Sequence, residues 1–189
     1  MARGAWCVVR GAWYVVRGTW CVTALRGGSC VTAVRGAWCV VRGNVGMDAA
    51  LQQARLAASK DEVPIGAVVM RGDEIVAEAH NETVARRNPT YHAEFLAIER
   101  ALEALETDRL TDCALYVTME PCALCAGAIV LAKVGKLVFG AYDEKAGMCG
   151  SLGDLVRHPR LHHRVEVKGG VDAKECAALL REFFAARRT

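Results

Sequence analysis

Two short motifs place three potential metal ligands in this chain, and they constrain it more than any other feature. The first is His92-x-Glu94 and the second is Cys122-x-x-Cys125. A zinc ion that hydrolyses a substrate has three protein ligands and keeps a fourth position for water, whereas a closed structural site takes four Cys or His ligands. The chain has no second Cys-x-x-Cys. The spacing therefore predicts one zinc ion held by His92, Cys122 and Cys125, with an open position.

Glu94 is the acidic residue of the first motif, and the zinc does not need it as a ligand. The pKa of a water on such a zinc falls from about 15.7 towards 7, so a neighbouring carboxylate can take up and return protons. The order His-x-Glu, then Pro-Cys-x-x-Cys, is the pattern of zinc enzymes that deaminate nucleobases. Each motif alone could be structural, as a redox pair, half of a zinc clip or a helix cap. Together they predict hydrolysis with Glu94 as the proton shuttle.

Charge and composition divide the chain near Met47. Residues 1–46 contain six Arg, all four Trp, four of the nine Cys and no acidic residue. Residues 47–189 hold the other 18 basic residues and all 21 acidic ones, which gives this part a net charge of −3. The formal charge of +3 of the whole chain therefore comes from residues 1–46. Net charge alone does not indicate a nucleic-acid surface on residues 47–189.

Residues 1–46 form an imperfect repeat that allows three interpretations. Arg-Gly recurs at intervals of seven or nine residues, separated by Ala-Trp-Cys-Val-Val or a variant of it. The alternation in these segments could form short strands turned at Arg-Gly. We favour a translated repetitive stretch before a true start at Met47, disordered or absent from the native protein, because only arginine gives the repeat a polar face. A transit peptide and an arginine–tryptophan arm that binds RNA are the alternatives.

The hydrophobic pattern of residues 47–189 predicts one layered α/β domain. Helical spacing extends over residues 48–59, 92–105, 121–133 and 173–188, and strands are predicted at 64–70, 74–80, 113–119, 136–140 and 164–167. Strands that alternate with helices are typical of layered α/β folds. In this arrangement the ligands lie at the first turns of two helices, where the positive helix end favours thiolates.

Hydropathy and cysteine usage bear on the cellular compartment. The longest stretch without a charged residue in this domain is 121–132, and a membrane helix needs about 20 apolar residues. We therefore expect no membrane span. Cys113, Cys149 and Cys176 remain once two cysteines are assigned to zinc, and an odd number without a secretory signal argues against disulfides. The chain is predicted to be cytoplasmic, with these three cysteines buried.

The chain resembles a known protein family over about residues 47–188, and the resemblance is not limited to the metal motif. Val63 to Val68, Leu115 to Cys122 and Val138 to Ala141 resemble segments of the bacterial tRNA-specific adenosine deaminases, and Gly150 to Leu155 is the most diagnostic. The resemblance implies the three-layer α/β/α cytidine deaminase-like fold. A mixed central sheet of about five strands would have helices on both faces. It also implies one Zn²⁺ per subunit.

The same resemblance implies a reaction and a set of contacts. The reaction is hydrolysis of the wobble adenosine of a tRNA, an arginine tRNA, to inosine. Asn81 would hydrogen-bond the flipped nucleoside, the Ala93 backbone and Glu94 would read the base edge, and Asp143 would touch the nucleotide backbone. The implied partners are a tRNA anticodon stem-loop and a second copy of the chain in a homodimer.

Basic side chains could supply the local charge that RNA binding needs. The candidates are Arg86, Arg87, Lys133, Lys136, Arg157 and Arg160. The resemblance also implies that Arg181, Arg187 and Arg188 meet the anticodon arm. The chain departs from the family pattern at Tyr91, which could narrow the pocket or stack in it, and at Gly153 and His162. Two other functions stay open: a free-base or nucleoside deaminase acting on guanine or cytosine, and a non-catalytic RNA-binding protein with structural zinc.

Overall fold

A computed structural model describes the backbone of four short strands in the first part of the chain and all of residues 44–188. The strands are β1 (Ala5–Val9), β2 (Ala12–Val16), β3 (Cys30–Val34) and β4 (Ala37–Val41). β1 pairs antiparallel with β2, and β3 pairs antiparallel with β4. Residues 1–45 and 46–189 form two separate compact units. The functional division of the chain at Met47 stays a prediction.

The larger unit contains four helices and five strands in an alternating order. They are α1 (Val45–Ser59), β5 (Gly66–Arg71), β6 (Glu74–His80), α2 (Ala93–Ala104), β7 (Cys113–Met119), α3 (Ala123–Leu131), β8 (Lys136–Ala141), β9 (Glu166–Lys168) and α4 (Ala173–Ala185). No helix among the described residues is both long enough and apolar enough to cross a membrane.

The five strands form one mixed sheet in the order β6-β5-β7-β8-β9. β5 pairs antiparallel with both β6 and β7, whereas β7, β8 and β9 are parallel to one another. β6 and β7 therefore run in the same direction on either side of β5. The carboxyl ends of β6 and β7 lie at the same edge of the sheet, and the chain continues from these ends towards α2 and α3.

Helices cover both faces of this sheet, because side chains alternate between the two faces along each strand. On β5, Ala67 and Val69 belong to one core with side chains of α2 and α3. Val68 and Met70 belong to a second core with α1 and α4. The predicted three-layer α/β/α fold with a five-stranded mixed sheet is confirmed.

The bounds of two predicted elements differ from the structure for identifiable reasons. The last strand was expected over residues 164–167 but covers Glu166–Lys168, because the Val165 N–H bonds to the Val156 carbonyl outside the sheet. α3 begins at Ala123 and not at residue 121, because Cys122 is extended, with φ −74° and ψ 179°, and forms the N-cap. Cys113, Cys149 and Cys176 are buried free thiols, as predicted.

Gly66 sets how closely α1 packs on the sheet. A Cβ at this position would overlap the Ala50 carbonyl oxygen and approach the Ala54 nitrogen to 2.5 Å. Both atoms belong to the backbone of α1, so a side chain at residue 66 could be accepted only if the whole helix moved. Gly66 also donates its N–H to the Thr118 hydroxyl at 3.2 Å, which ties β5 to the end of β7.

We expect Gly66→Ala to lower the free energy of unfolding by about 1–3 kcal/mol, the usual cost of overfilling a packed core. Urea denaturation followed by circular dichroism measures this difference. Gln52→Ala is the matched control, because Gln52 is exposed on the same helix and such changes stay within about 0.5 kcal/mol. Equal stability of the Gly66→Ala variant and the unmodified protein would contradict the close packing of α1 on β5.

Candidate metal centre and substrate cavity

The N-termini of α2 and α3 meet and bring the three predicted ligands together. His92 is the N-cap of α2 and Cys122 is the N-cap of α3, and Cys125 lies in the first turn of α3. The ligand atoms of the three residues all lie within 4.8 Å of one another. His92 Nδ1 is 3.5 Å from the Sγ atom of each cysteine. The sequence prediction that these residues form one cluster agrees with this geometry.

The electrostatics of the cluster favour negative charge on sulfur. Hydrogen bonds with Cys125 and His92 lower the pKa of the Cys122 thiol to about 3. The same contact with Cys122, together with burial, raises the pKa of Cys125, and the hydrogen bond to Cys122 raises the pKa of His92. One negative charge is therefore shared by the two sulfurs at the N-terminus of α3, next to the N-terminus of α2. Two sulfurs and an imidazole nitrogen at this spacing form a donor set suited to a metal ion such as zinc, which would bind both sulfurs as thiolates.

Glu94 lies in the first turn of α2, next to the ligands, and its side chain is buried. The residue is 4% exposed, and burial raises the pKa of its carboxyl to about 7. Its Oε2 atom has no hydrogen-bond partner among the described residues. Buried polar atoms without a partner are rare in proteins and often mark a functional group. Glu94 is therefore placed to exchange a proton with a molecule in the adjoining cavity.

A cavity of about 230 Å³ opens beside His92, Cys122 and Glu94. Its walls are mostly apolar, and its charged lining residues other than His92 are Glu94, Glu120 and Asp143. The remaining lining residues are Val63, Ile65, Met119, Ala146, Leu180 and Phe184. An apolar cavity with a few convergent polar groups is the usual form of a site for a small planar ligand. The arrangement suits a nucleobase whose reacting edge faces Glu94.

Asn81 and Ala93, two of the predicted substrate-binding residues, are paired with each other. Asn81 follows the end of β6, is 4% exposed, and its Oδ1 atom accepts the Ala93 N–H at 2.9 Å. This bond caps the first residue of α2, which needs an acceptor for its free N–H group. Asp143, the third predicted residue, lines the cavity. Its Oδ1 atom accepts the N–H groups of Lys145 and Ala146.

Comparison with known proteins shows the family to which this chain belongs. A model of the MafB19-like deaminases matches residues 44–188. The tRNA-specific adenosine deaminase of Bacillus subtilis (strain 168) is 47% identical over 138 residues, which cover 73% of this chain and 86% of that protein. The chain belongs to the tRNA-specific adenosine deaminase family. The enzyme of the same name from Aquifex aeolicus is 42% identical over 71% of this chain and 89% of its own length.

Two solved structures are similar to this chain, one from a study of tRNA deaminases and one of a guanine deaminase. A structure from a study of A-to-I editing by tRNA:A34 deaminases at the wobble position of transfer RNA aligns with a TM-score of 0.70 and 40% identity. It covers 73% of this chain and 100% of that one. The guanine deaminase from Nitrosomonas europaea aligns with a TM-score of 0.65 and 28% identity, over 74% of this chain and 83% of that one. The resemblance predicted from sequence is confirmed.

Within this member of the tRNA-specific adenosine deaminase family, several predicted basic residues are engaged in local ion pairs. Arg187 bonds to Asp61 at 2.6 Å and stacks on the Phe183 ring at 3.5 Å. Arg86, Lys136 and Arg157 pair with Glu82, Glu166 and Asp154. In the 44–188 segment, no ion pair within 4.0 Å is formed by Arg87, Lys133, Arg160, Arg181 or Arg188.

Tyr91, where the chain departs from the family pattern, packs against the core and Arg86. The described cavity lining does not include it. Its ring instead lies 5.0 Å from the Arg86 guanidinium and packs partly buried against the core. An effect of Tyr91 on the substrate pocket, by narrowing it or by stacking in it, stays a prediction.

Two buried carboxylates near the site had no predicted role. Glu62 accepts the Thr83 hydroxyl and the N–H groups of Val84 and Ala85. Glu120 accepts hydrogen bonds from Asp143, Cys149 and Ser151. Burial alone would raise the pKa of both groups, but these hydrogen bonds lower it below the usual value. The only sequence signal for such residues is an acid inside an otherwise apolar segment, as at Glu120 between Met119 and Pro121.

We expect the purified protein to contain one metal ion per chain, and Cys122→Ala and Cys125→Ala to lose it, because each variant removes one of three ligands. Inductively coupled plasma mass spectrometry measures the metal content. Cys113→Ala is the matched control at a buried cysteine outside the cluster and should keep the full metal content. Full metal content in the Cys125→Ala variant would contradict the assigned ligand set.

Proposed function

We propose that this chain hydrolyses the wobble adenosine of a tRNA anticodon, that of an arginine tRNA, to inosine and ammonia. The observation that carries the proposal is the unpaired, buried Oε2 atom of Glu94, in the wall of the same cavity as His92 and Cys122. The resemblance to relatives named tRNA-specific adenosine deaminase supports adenosine in tRNA as the substrate. His92, Cys122 and Cys125 would hold one zinc ion per subunit.

Glu94 is the residue that moves protons in this proposal. When bound, the zinc supplies an activated water for attack on the base carbon that carries the exocyclic amine. The Glu94 carboxylate would accept one proton from the water and deliver it to the neighbouring ring nitrogen. It would then take the second proton from the oxygen newly bonded to the base carbon and donate it to the departing amine, which leaves as ammonia. A pKa raised to about 7 by burial suits this double role, because the group can accept and release protons near neutral pH.

Asn81, Ala93 and Asp143 would position the nucleotide. Asn81 is already oriented by the Ala93 N–H, and its amide nitrogen would donate a hydrogen bond to the ribose or the base. Asp143 lines the cavity, and the bonds from Lys145 and Ala146 to one of its carboxylate oxygens fix its direction. The other carboxylate oxygen could accept a hydrogen bond from the sugar of the target nucleotide.

α4 would carry the flanking part of the anticodon loop. Leu180 and Phe184 line both the cavity and an adjoining groove of about 370 Å³. Arg181 and Arg188 complete this groove, and Phe184 is 46% exposed. Bases splayed from a single-stranded loop stack on aromatic rings, while arginine contacts the phosphates. The continuity of groove and cavity supports RNA, rather than a free base, as the substrate.

A homodimer would form on the outer face of α2 and α3. An apolar groove of about 370 Å³ lies between these helices, lined by Phe95, Ile98, Leu102, Ala128, Leu131 and others. Leu131 is 82% exposed and Leu124 is 42% exposed. Adjacent exposed apolar side chains of this kind are typical of subunit interfaces. The same two helices carry the metal ligands, so a partner on this face would lie close to the cavity.

We expect the chain to form inosine at the wobble position of an arginine tRNA anticodon stem-loop, and Glu94→Gln to lower kcat by about 10²- to 10⁴-fold while keeping its metal. Nuclease digestion and mass spectrometry measure the inosine. Glu103→Gln, at an exposed position on the same helix, is the matched control and should keep full activity. Substantial activity in Glu94→Gln would contradict the proton shuttle.

Assays on free guanine, cytosine and adenine distinguish tRNA editing from the alternative function, free-base deamination. Guanine is the first base to test, because a structural neighbour is a guanine deaminase. We expect no ammonia release from these bases under conditions where the stem-loop is fully converted. Ammonia from guanine, with the RNA unchanged, would assign the chain to free-base deamination and overturn the tRNA proposal.

We expect Leu131→Glu to convert the protein from a dimer to a monomer, because it places a charge in the apolar groove between α2 and α3. Size-exclusion chromatography with light scattering measures the mass. Leu56→Glu on α1, where Leu56 is 40% exposed, is the matched control and should remain dimeric. A monomeric unmodified protein, or an unchanged dimer in the Leu131→Glu variant, would contradict this interface.

A further inference from the structure

We propose that Glu120 is a positioning residue that holds residues 143–151, here called the 143–151 loop, in the shape that substrate binding requires. The proposal rests on the proposed function, because it assumes that Asp143 contacts the nucleotide. It adds a residue that acts through Asp143 and does not touch the reacting atoms itself.

The Glu120 carboxylate is enclosed by donors from both ends of the 143–151 loop. Its Oε2 atom accepts the Asp143 N–H at 3.1 Å and the Ser151 hydroxyl. Its Oε1 atom accepts the N–H groups of Cys149 and Ser151, each at 3.0 Å. The residue is 3% exposed, so little of the carboxylate is accessible to water that could replace these donors. Hydrogen bonds to a charged acceptor are about twice as strong as neutral ones.

The middle of the loop is shaped around the same carboxylate. A Cβ at Gly147 would overlap the Glu120 carboxyl group, so a residue without a side chain is required at this point. The Gly147 N–H bonds to the Asp143 carbonyl at 2.9 Å. The next residue, Met148, donates its N–H to the Pro121 carbonyl at 2.9 Å. The loop thus closes on the chain segment that contains Glu120 and Pro121.

This segment leads directly into the metal cluster. Glu120 donates its N–H to the Ala141 carbonyl at 2.8 Å, and Cys122 follows two residues later. Glu120, Cys122 and Asp143 all line the same cavity. The position of the loop is therefore set relative to the metal ligand, and Glu120 transmits that position to Asp143.

Glu62 provides an internal comparison. It is also buried, 1% exposed, and its carboxylate holds Thr83, Val84 and Ala85. It anchors a different loop, the one between β6 and α2. Disruption of Glu62 should therefore affect the protein without acting through Asp143.

The first test is a double-mutant cycle of Glu120→Gln and Asp143→Ala, with kcat/KM measured on the anticodon stem-loop. Glutamine keeps the size of Glu120 but replaces one acceptor oxygen with a donor, so loop N–H groups lose their acceptor. If Glu120 acts through Asp143, the loss caused by Asp143→Ala is smaller by about tenfold in the Glu120→Gln background. In the Glu62→Gln background the Asp143→Ala loss should be unchanged. Losses that simply multiply in the Glu120 cycle overturn the proposal.

Hydrogen exchange tests the anchor without any substrate. In Glu120→Gln we expect the amides of Asp143, Cys149 and Ser151 to exchange about tenfold faster or more, with the protection of α2 and α3 and the metal content unchanged. Ser151→Ala removes one of the donors to Glu120 and should speed the exchange of these amides by a smaller factor. This variant tests the anchor if Glu120→Gln does not fold. Unchanged exchange in both variants overturns the proposal, as does a folded variant in which α2 and α3 lose as much protection as the loop.

The two proposals fail in different ways. If Asp143→Ala leaves kcat/KM on the stem-loop unchanged, the positioning role is overturned, but inosine formation and its dependence on Glu94 are not. If the unmodified protein forms no inosine, the proposed function fails, while faster exchange in Glu120→Gln would still show that the carboxylate holds the loop.

Discussion

The convergence of two helix N-termini at one edge of the sheet is the constraint on which the site depends. β6 and β7 run in the same direction, so the chain leaves both at the same edge and enters α2 and α3 there. His92 and Cys122 are the N-caps of these helices and have extended backbones, without a side-chain capping bond of their own. Free N–H groups and the positive helix ends stabilise negative charge on sulfur. A donor set for a metal ion follows from this topology.

The hydrogen bonding of three buried carboxylates, of which Glu94 and Glu120 line the cavity, separates their roles. Glu62 and Glu120 are surrounded by donors that lower their pKa and hold two different loops. Glu94 has an unpaired oxygen, and burial raises its pKa to about 7. Burying a charge without partners is costly, so a fully bonded carboxylate stabilises structure, whereas a partly bonded one is available for proton transfer. Residues of one chemical type therefore differ in function through their surroundings.

The cluster of His92, Cys122 and Cys125 with Glu94 beside it could be predicted from sequence, because the two motifs are local and their order is distinctive. The layered fold could be predicted because strand and helix periodicities alternate clearly between residues 47 and 189. Glu120 could not be assigned a role, because its donors lie 23 to 31 residues further along the chain. Arg187 was predicted to face RNA, but its distant partner Asp61 is visible only in the fold. The contact of Tyr91 with Arg86 likewise becomes visible only in the fold.

The central claim is that two sulfurs and one imidazole hold the metal and that Glu94 stays outside the coordination shell. X-ray absorption spectroscopy at the zinc edge, on the unmodified protein and on Glu94→Gln, tests it most directly. We predict two Zn–S distances of about 2.3 Å, with nitrogen or oxygen ligands at about 2.0–2.1 Å, and the same shell in both proteins. A third or fourth sulfur would contradict the open position, and a shell altered in Glu94→Gln would show that Glu94 binds the metal instead of moving protons.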